Sequence, residues 1–352
     1  MGMRIAYLLP SLDRKGPVIM VHNLVRHLKD KVEAIDVYFF NEPQRIEFPV
    51  PTRKIGLSHR FDSGHYDIVH SHMLEPDFYV WKTGKRISCK TVSTIHQFTR
   101  DSLSFDFSRQ VSAVITPLWN RILRTHDCLV YISRSLMDHS MDVIANPRSC
   151  CIHNGIDPVA TDTTIPPDDE AMIRKVKGGH LLIGNFAHFT RRKGVDQLIE
   201  MLAAWPEAAL LLVGDGKDLP DLVSLSRRKG VQDRCLFLGA RDNVQGYFRF
   251  LDVYAMTSRS EAFGLSLVEA VSAGVPVVCS DIPTFRELFD ATEVTFFELE
   301  NIESLKRATV SALTEKREKT MRAHGRFLDH YTAGKMAESY LALYEDLVGI
   351  RR

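Results

Sequence analysis

Two glutamates eight positions apart, Glu261 and Glu269, enclose the segment of this chain that is best suited to bind a ligand. An irregular apolar turn over residues 262–265 leads into a short helical segment, which Gly274 is expected to end. The first turn of a helix leaves its backbone N–H groups without intrahelical acceptors. The N–H groups expected to be available here are those of Phe263, Gly264 and Leu265.

Carboxylates on either side of free N–H donors match a ligand that carries both a phosphate group and hydroxyl groups. The N–H groups would bind the phosphate, and the carboxylates would accept hydrogen bonds from the hydroxyls. Glu261 is predicted in the loop before the helix, and Glu269 about one turn inside it. The alternative for this spacing taken alone is a solvated helix with two surface acids.

Three consecutive cations, Arg191, Arg192 and Lys193, stand directly before Gly194. They follow a predicted strand, Leu181–Asn185, and precede a predicted helix. Cations at a helix N-terminus are electrostatically unfavourable to that helix, unless an anion is bound there as well. The run therefore predicts a diphosphate site, with an ordinary basic loop as the alternative.

The elements that position these residues alternate between short apolar runs and helical patterns, which is typical of α/β proteins with parallel sheets. In the first half, the predicted strands are Arg4–Leu9, Ala34–Phe40, Ile68–His70, Thr91–Ile95, Cys128–Ile132 and Cys150–His153. In the second half they are Leu181–Asn185, Ala209–Val213, Cys235–Leu238, Val253–Met256 and Val275–Cys279. The predicted helices include Pro17–Leu28, residues 107–124 and residues 333–347.

A chain of 352 residues is too long for one ordinary core and predicts two domains. Residues 158–179 lack a sustained apolar period and contain paired prolines and paired glycines, so they predict an inter-domain linker with a flanking helix. Two doubly wound halves with a cleft between them are expected. Ligands in such sheets bind outside the carboxyl ends of the strands.

The order of these motifs resembles that of the family-4 retaining glycosyltransferases, the glycosyl transferases group 1, which have the GT-B fold. The resemblance covers residues 3 to about 290. Its further motifs are His70-Ser-His72, Thr94-Ile-His96, Ile132-Ser-Arg-Ser135, Asn154-Gly-Ile-Asp157 and Val213-Gly-Asp-Gly216. It implies an acceptor-side Rossmann-like domain at residues 1–165 and a nucleotide-sugar-binding one at 166–332. A final helix at 333–352 would cross back to the first domain.

The resemblance also implies roles for the charged residues. Lys193 matches the family's phosphate lysine, and Glu261 matches the glutamate beside the donor sugar and its leaving phosphate. Glu269 matches the glutamate that accepts hydrogen bonds from the ribose. The companion arginine of the family is replaced by Asn185, and Arg192 is the expected substitute, with Arg191 as the second choice.

Three further positions enter the expected site through the resemblance. Gly16 lies in the first loop, where the family's backbone approaches the diphosphate. Gly214 is assigned to donor binding in the second half, although the run resembles the start of a dinucleotide fingerprint whose third glycine is missing, since position 219 is Leu. His96, which follows an apolar strand, matches a histidine beside the reacting sugar.

No metal and no cofactor are expected. His70 and His72 could share one side of an extended segment, but no third ligand is visible beside them. The chain also has no D-x-D motif, the usual device of metal-dependent glycosyltransferases of the other major fold. Catalysis by Lys, Arg and backbone dipoles is therefore predicted.

Residues 107–124 form a predicted amphipathic helix with aromatic and basic side chains. Its apolar face comprises Phe107, Val111, Val114, Leu118, Trp119, Ile122 and Leu123. Arg109, Arg121 and Arg124 add positive charge. Such a helix can lie on an anionic membrane, and the alternative is an ordinary core-facing helix.

The bulk properties exclude several protein classes. A net charge of +1 with 25% charged residues gives no sign of a general nucleic-acid binder. No apolar run approaches the ~20 residues of a membrane span, and no cleavable signal pattern precedes the first strand. The six cysteines show no C-x-x-C pair, so a cytoplasmic location is expected, with peripheral membrane contact as an open alternative.

The sequence thus predicts a retaining, metal-independent glycosyltransferase. It would move a sugar from a nucleotide-diphosphate donor, UDP-linked first and GDP-linked next, to a saccharide acceptor. By the resemblance, that acceptor is expected to be lipid-linked, as in the assembly of a cell-surface polysaccharide or lipopolysaccharide. Two rivals remain open: a sugar-nucleotide epimerase of the same fold, and an inactive subunit that only binds sugar nucleotides.

Overall fold

Parallel sheets dominate both halves of the chain in this computed structural model, which describes residues 2–59, 62–84, 88–98, 109–146 and 148–350. The chain divides into two units, Met1–Asp157 with His330–Arg352, and Pro158–Asp329. Residues 158–165, placed with the first half by the sequence, thus belong to the second unit, and the final helix belongs to the first. Each unit is described by itself below.

The first unit contains, among its described residues, a seven-stranded parallel sheet of order β3-β2-β1-β4-β5-β6-β7. Its strands are β1 (Arg4–Leu12), β2 (Ala34–Gln44), β3 (Thr52–Lys54), β4 (Ile68–His72), β5 (Lys90–Ile95), β6 (Cys128–Tyr131) and β7 (Ser149–Cys151). Its helices are α1 (Gly16–Leu28), α2 (Leu74–Thr83), α3 (Arg109–Leu123), α4 (Arg134–Ile144) and the final helix (Ala333–Val348).

The final helix packs into the main core of the first unit through an apolar face that repeats every three to four residues. Its buried members include Met336, Tyr340, Tyr344 and Leu347, which join the apolar side chains of α1 and β1. Gly155 is needed where the chain passes this helix, because a Cβ there would lie 2.2 Å from the carbonyl oxygen of Thr332. The Asn154-Gly-Ile-Asp157 motif therefore has a packing reason.

The second unit contains a six-stranded parallel sheet, again among the described residues, of order β10-β9-β8-β11-β12-β13. Its strands are β8 (Leu181–Phe186), β9 (Ala208–Val213), β10 (Cys235–Gly239), β11 (Val253–Met256), β12 (Val277–Ser280) and β13 (Thr295–Phe297). Its helices are α5 (Pro167–Lys177), α6 (Val195–Ala203), α7 (Leu219–Arg228), α8 (Leu265–Ser272), α9 (Pro283–Leu288), α10 (Ile302–Thr314) and α11 (Lys316–His330).

The differences from the predicted elements have simple physical reasons. The strand predicted from Val275 begins at Val277, because Pro276 has no N–H group to donate to the sheet. The short edge strand Thr52–Lys54 was not predicted, since three residues carry too little alternation to be recognised. The start of the helix predicted at 107–124 lies outside the described residues, which resume at Arg109.

Both sheets reverse their strand order at one point, and there the loops that follow two neighbouring strands diverge to opposite faces. These switch points lie between β1 and β4 in the first unit and between β8 and β11 in the second. In doubly wound sheets the crevice at this place, at the carboxyl ends of the strands, is where ligands bind. The cations at residues 191–193 and Glu261 follow β8 and β11, and Gly16 follows β1. Gly214 and His96 follow the neighbouring strands β9 and β5.

Candidate active site

Glu261 is the centre of a charged cluster at the switch point of the second unit. Its carboxylate accepts hydrogen bonds from Lys193 Nζ at 2.5 Å, Ser258 Oγ at 2.7 Å and Arg192 Nη1 at 3.1 Å. The Glu261 side chain is only 7% exposed, whereas Lys193 is 15% and Arg192 34% exposed. Burial alone would raise the pKa of Glu261, but the two cations outweigh it and hold that pKa below its ordinary value.

Lys193 and Arg192 reach Glu261 because the chain turns sharply between β8 and α6. Arg191–Lys193 form one 3₁₀ turn, and Gly194 then adopts a left-handed conformation with φ 63°. A Cβ at Gly194 would lie 2.1 Å from the carbonyl oxygen of Thr257, so only glycine permits the turn to pack against the end of β11. This contact brings the loops after β8 and β11 together.

The cluster distinguishes between the two candidate arginines. Arg192 Nη1 contacts Glu261 and also donates to the carbonyl of Ser260 at 2.9 Å. The Arg191 side chain is exposed, and its carbonyl accepts a hydrogen bond from Arg259 at 2.6 Å. Asn185 lies buried within β8, where its amide nitrogen donates to Ala255 of the neighbouring strand at 2.7 Å.

The loop before α8 presents backbone donors beside this cluster. Gly264 has φ 103° and caps α8, and a Cβ there would lie 2.8 Å from the ring of Phe285. Among the described residues, the N–H groups of Gly264 and Leu265 have no backbone acceptor. Phe263 is buried, so its side chain anchors the loop. The expected arrangement, a carboxylate followed by open amides at a helix start, is present.

Glu269 differs from Glu261, because no charged partner contacts it in the part of the chain that the structure describes. It lies one turn inside α8, is partly buried, and its carboxylate has no hydrogen-bond donor among the described residues. Burial raises the pKa of Glu269 to about 7. The two glutamates of the segment therefore have opposite electrostatic environments.

Gly214 lies at the end of β9, next to the loop that carries the cations. A Cβ at this position would lie 1.8 Å from the carbonyl oxygen of Ala187, and one at Gly216 would lie 2.2 Å from that of Phe189. Both glycines therefore let this loop pack against the loop after β8. The structure gives Gly214 a packing role, and its assignment to donor binding stays a prediction.

In the first unit, the predicted residues lie at the carboxyl edge of the sheet. Gly16 begins α1 directly after the loop from β1, and His96 follows the last residue of β5. His70 and His72 lie on β4, and their rings stack with centroids 4.2 Å apart. His70 is hydrogen-bonded through Nδ1 to Tyr344 at 2.6 Å and through Nε2 to Thr94 at 2.8 Å, so both of its nitrogens are occupied.

The amphipathic helix is divided between core and solvent. Trp119, Ile122 and Leu123 are buried, and Trp119 Nε1 donates to the buried Asp77 at 2.8 Å. For these three side chains the core-facing alternative therefore holds. The exposed side comprises Val111, Val114 and Leu118, which are 41%, 72% and 47% exposed. No helix of the described residues is long and apolar enough to cross a membrane.

Comparisons with known proteins identify the family of this chain. The sequence-family model "Glycosyltransferase Family 4" matches residues 14–159, and the family model "Glycosyl transferases group 1" matches residues 169–326. The O-antigen biosynthesis glycosyltransferase WclY of Escherichia coli is 30% identical over 355 residues, covering 98% of this chain and 99% of WclY. The chain belongs to the family-4 glycosyltransferases.

Solved structures show the same fold. HepE from Anabaena, crystallised with UDP and glucose, superposes with a TM-score of 0.81 at 18% identity, covering 98% of this chain and 100% of HepE. WaaG, a glycosyltransferase involved in lipopolysaccharide biosynthesis, has a TM-score of 0.71 at 18% identity over 98% of this chain and 100% of WaaG. The predicted GT-B fold is confirmed.

Several residues of this candidate site were not predicted from the sequence. Ser258 donates to Glu261, and Gln197 ties the turn at Gly194 to Thr257. Arg259 forms ion pairs with Asp196 and Glu300 and also donates to the carbonyl of Arg191. In the string Ser258-Arg-Ser-Glu261 the hydroxyl three residues before the glutamate was a usable local signal. The ion pairs of Arg259 join segments that are distant in sequence, so no local signal predicted them.

The opposite environments of the two glutamates predict opposite effects on stability. The pKa of Glu269 in the folded protein lies above that of the unfolded chain, so its contribution to folding falls as the pH rises from about 4.5 to 7. Glu269→Gln should stabilise the protein at pH 8 by about 1–2 kcal/mol and change little at pH 5. Urea unfolding at the two pH values measures this.

Glu261→Gln is the matched control, because the pKa of Glu261 is lowered and its ionised form is the stabilising one. This variant should lose stability at pH 8, and the loss should shrink as acid protonates the wild-type carboxylate. Destabilisation of both variants to the same extent at pH 8 would show that the environments do not differ as described.

Proposed function

We propose that the chain transfers a sugar from a UDP-linked donor to a lipid-linked saccharide with retention of the anomeric configuration, without a metal ion. The assembly of O-antigen or lipopolysaccharide is the proposed setting. WclY and WaaG support that setting through their described roles, and the complex of HepE with UDP and glucose supports the donor. A GDP-linked sugar is the second choice.

The observation that carries the proposal is the cluster of Lys193, Arg192 and Glu261 beside open amides at the start of α8. Negative charge grows on the leaving diphosphate as its bond to the anomeric carbon breaks. Lys193, Arg192 and the amides of Gly264 and Leu265 are the groups proposed to stabilise that charge. Glu261 holds both cations in place before the donor arrives, so little reorganisation is needed.

The proposed step is balanced within the two substrates. The bond from the anomeric carbon to the diphosphate oxygen breaks, and a bond to the acceptor oxygen forms on the same face of the sugar. The acceptor proton passes to the leaving phosphate oxygen. Glu261 would not act as the nucleophile, because three donors already engage the oxygens of its carboxylate.

Glu269 is proposed to accept hydrogen bonds from the ribose of the donor. Its carboxylate has no hydrogen-bond donor among the described residues, which suits that role. Burial disfavours the ionised form of Glu269, and hydroxyl donors of the ribose would favour it. The first unit, with Gly16 and His96 at its carboxyl edge, is proposed to face the acceptor and the donor sugar.

Incubation with an α-linked UDP-sugar and an acceptor tests the function directly. The product should carry an α linkage, read from the anomeric proton coupling of a gluco- or galacto-configured sugar. A β linkage would overturn the retaining mechanism. Product from the donor alone would indicate the epimerase, and donor binding without turnover would indicate the inactive subunit.

Substitution of the three cations tests their order of importance. Lys193→Ala should lower kcat by at least tenfold with a smaller effect on donor affinity, because its charge opposes charge that grows in the transition state. Arg192→Ala should be severe as well, because Arg192 contacts Glu261. Arg191→Ala should be mild, because the Arg191 side chain is exposed. Initial rates over a range of donor concentrations separate kcat from KM.

Two outcomes would contradict these assignments. A Lys193→Ala rate within about threefold of the wild type would remove the lysine from the catalytic group. A stronger effect of Arg191→Ala than of Arg192→Ala would mean that the loop rearranges when the donor binds. Arg228→Ala, on α7 away from the cluster, is the matched control and should leave the kinetics unchanged.

Membrane contact is proposed for the exposed half of α3. Val111, Val114 and Leu118 form an outward apolar strip, and Arg121 adds a positive charge beside them. An apolar strip with adjoining arginine suits an anionic lipid surface, where a lipid-linked acceptor would reside. The buried half of the helix anchors this surface to the first unit through Trp119 and Asp77.

Vesicle co-sedimentation tests this contact. The double variant Val114→Glu with Leu118→Glu should bind vesicles rich in phosphatidylglycerol at least tenfold more weakly, because it removes apolar area and adds negative charge. Met321→Glu with Leu328→Glu, also exposed but on α11, is the control. Equal binding by all three proteins would exclude α3 as the lipid contact.

A further inference from the structure

Two imidazoles touch at the carboxyl edge of the first sheet. Nδ1 of His72 lies 2.9 Å from Nε2 of His96, with ring centroids 5.2 Å apart. His72 is fully buried, whereas His96 keeps part of its surface exposed. His96 is therefore the member of this pair that a ligand can reach, and His72 supports it from behind.

Both rings are neutral. Burial lowers the pKa of His96 to about 3 and lowers that of His72 well below its ordinary value. A neutral imidazole has one N–H group and one acceptor nitrogen. One ring must therefore donate in this hydrogen bond and the other must accept, which leaves two possible arrangements of the protons.

The far nitrogen of His72 decides between the two arrangements. Nε2 of His72 is buried and has no hydrogen-bond partner in the part of the chain that the structure describes. If Nδ1 accepted, Nε2 would carry a buried N–H group without an acceptor. If Nδ1 donates, Nε2 is only an unused acceptor. Orphaned buried N–H groups are the rarer of the two defects in folded proteins.

The neighbouring histidine cannot relieve this asymmetry. His70 stacks on His72, but its two nitrogens are engaged by Tyr344 and Thr94. Tyr7, whose ring centroid lies 6.2 Å from that of His72, directs its hydroxyl to Tyr344 at 3.1 Å. The surroundings of His72 are thus held by the final helix without supplying an acceptor to Nε2.

We propose that His72 is a positioning residue that donates its Nδ1–H to His96 and so fixes His96 in the tautomer with its proton on Nδ1. The lone pair of His96 is then consumed, and the ring offers a ligand an N–H donor instead of a base. If the proposed function holds, the Nδ1–H of His96 donates to a hydroxyl oxygen of the substrate sugar. This leaves removal of the acceptor proton to the leaving phosphate.

Nitrogen NMR of protein labelled with ¹⁵N-histidine tests the tautomer without any assay of activity. The signals of His96 are those that disappear in His96→Gln, among the 14 histidines of the chain. In the wild-type protein the proton of His96 should be on Nδ1. A proton on Nε2 would overturn the proposal outright, whatever reaction the protein catalyses.

Two variants separate positioning from mere packing. The side-chain amide of His72→Asn can place an N–H where Nδ1 stands, so His96 should keep its tautomer. His72→Leu removes the donor, so the His96 proton should move towards Nε2. An unchanged tautomer in His72→Leu would refute the role of His72. His70→Asn, which disturbs the contacts to Tyr344 and Thr94, should lower the melting temperature but leave the tautomer as it is.

Binding supplies a readout that a structural role would not move. His72→Leu should weaken binding of the UDP-sugar roughly tenfold relative to UDP alone, the size of one lost hydrogen bond of about 1.4 kcal/mol. His72→Asn should restore it. Equal weakening for UDP and UDP-sugar would contradict the contact with the sugar. Absence of binding to either in the wild type would refute the proposed function, while the NMR result still decides the tautomer.

Discussion

The buried carboxylate of Glu261 is the constraint on which the second unit depends. A buried charge is tolerated only with partners, and losing one partner of such a pair costs about 3–5 kcal/mol. Lys193 and Arg192 come from the loop after β8, and Glu261 from the loop after β11. These strands are neighbours at the switch point, so the ion cluster joins two loops that diverge there.

The glycines around the cluster follow from this junction. Gly194 passes close to the carbonyl of Thr257, and Gly214 passes close to that of Ala187. Gly194 thereby lets the loop after β8 pack against the end of β11, and Gly214 lets the loop after β9 pack against the loop after β8. The close packing at Gly194 brings the loops after β8 and β11 together, and the ion pairs of Glu261 join them there.

The first unit is organised by a different interaction, between its sheet and the final helix. Tyr344 reaches His70 on β4, and Tyr340 reaches Thr94 on β5, so buried hydroxyls link residues more than two hundred positions apart. Each hydroxyl can donate once and accept as well, and the chain of bonds satisfies nearly every buried polar atom in it. His72 Nε2 is an exception in the described part of this network.

Much of the fold could be predicted from the sequence, because the strands of parallel sheets and the turns between elements have recognisable local sequence patterns. Buried strands such as Val253–Met256 are continuous apolar runs, and the turn at Gly264 and the helix after it were expected from residue types alone. The charged run at Arg191–Lys193 was expected near an anion for the same local reason.

What could not be read depends on contacts between distant segments. No local pattern distinguishes Arg192 from Arg191, since the choice is made by Glu261, nearly seventy residues away. The periodicity of α3 marked its apolar side chains correctly but could not show which of them would be buried. Trp119 is buried and donates to the buried Asp77, which lies on α2, more than forty positions away. The pairing of His72 with His96 is likewise set by two neighbouring strands.

Glu261 and Glu269 show why residue type and spacing are not enough to assign roles. Both are carboxylates near the same helix, yet cations lower the pKa of Glu261 while burial raises that of Glu269 to about 7. A carboxylate already held by cations suits a site where charge develops during reaction. One without partners gains most from hydroxyl donors, which do not change during reaction. The division of labour between them therefore follows from what each side chain touches, not from its place in the motif.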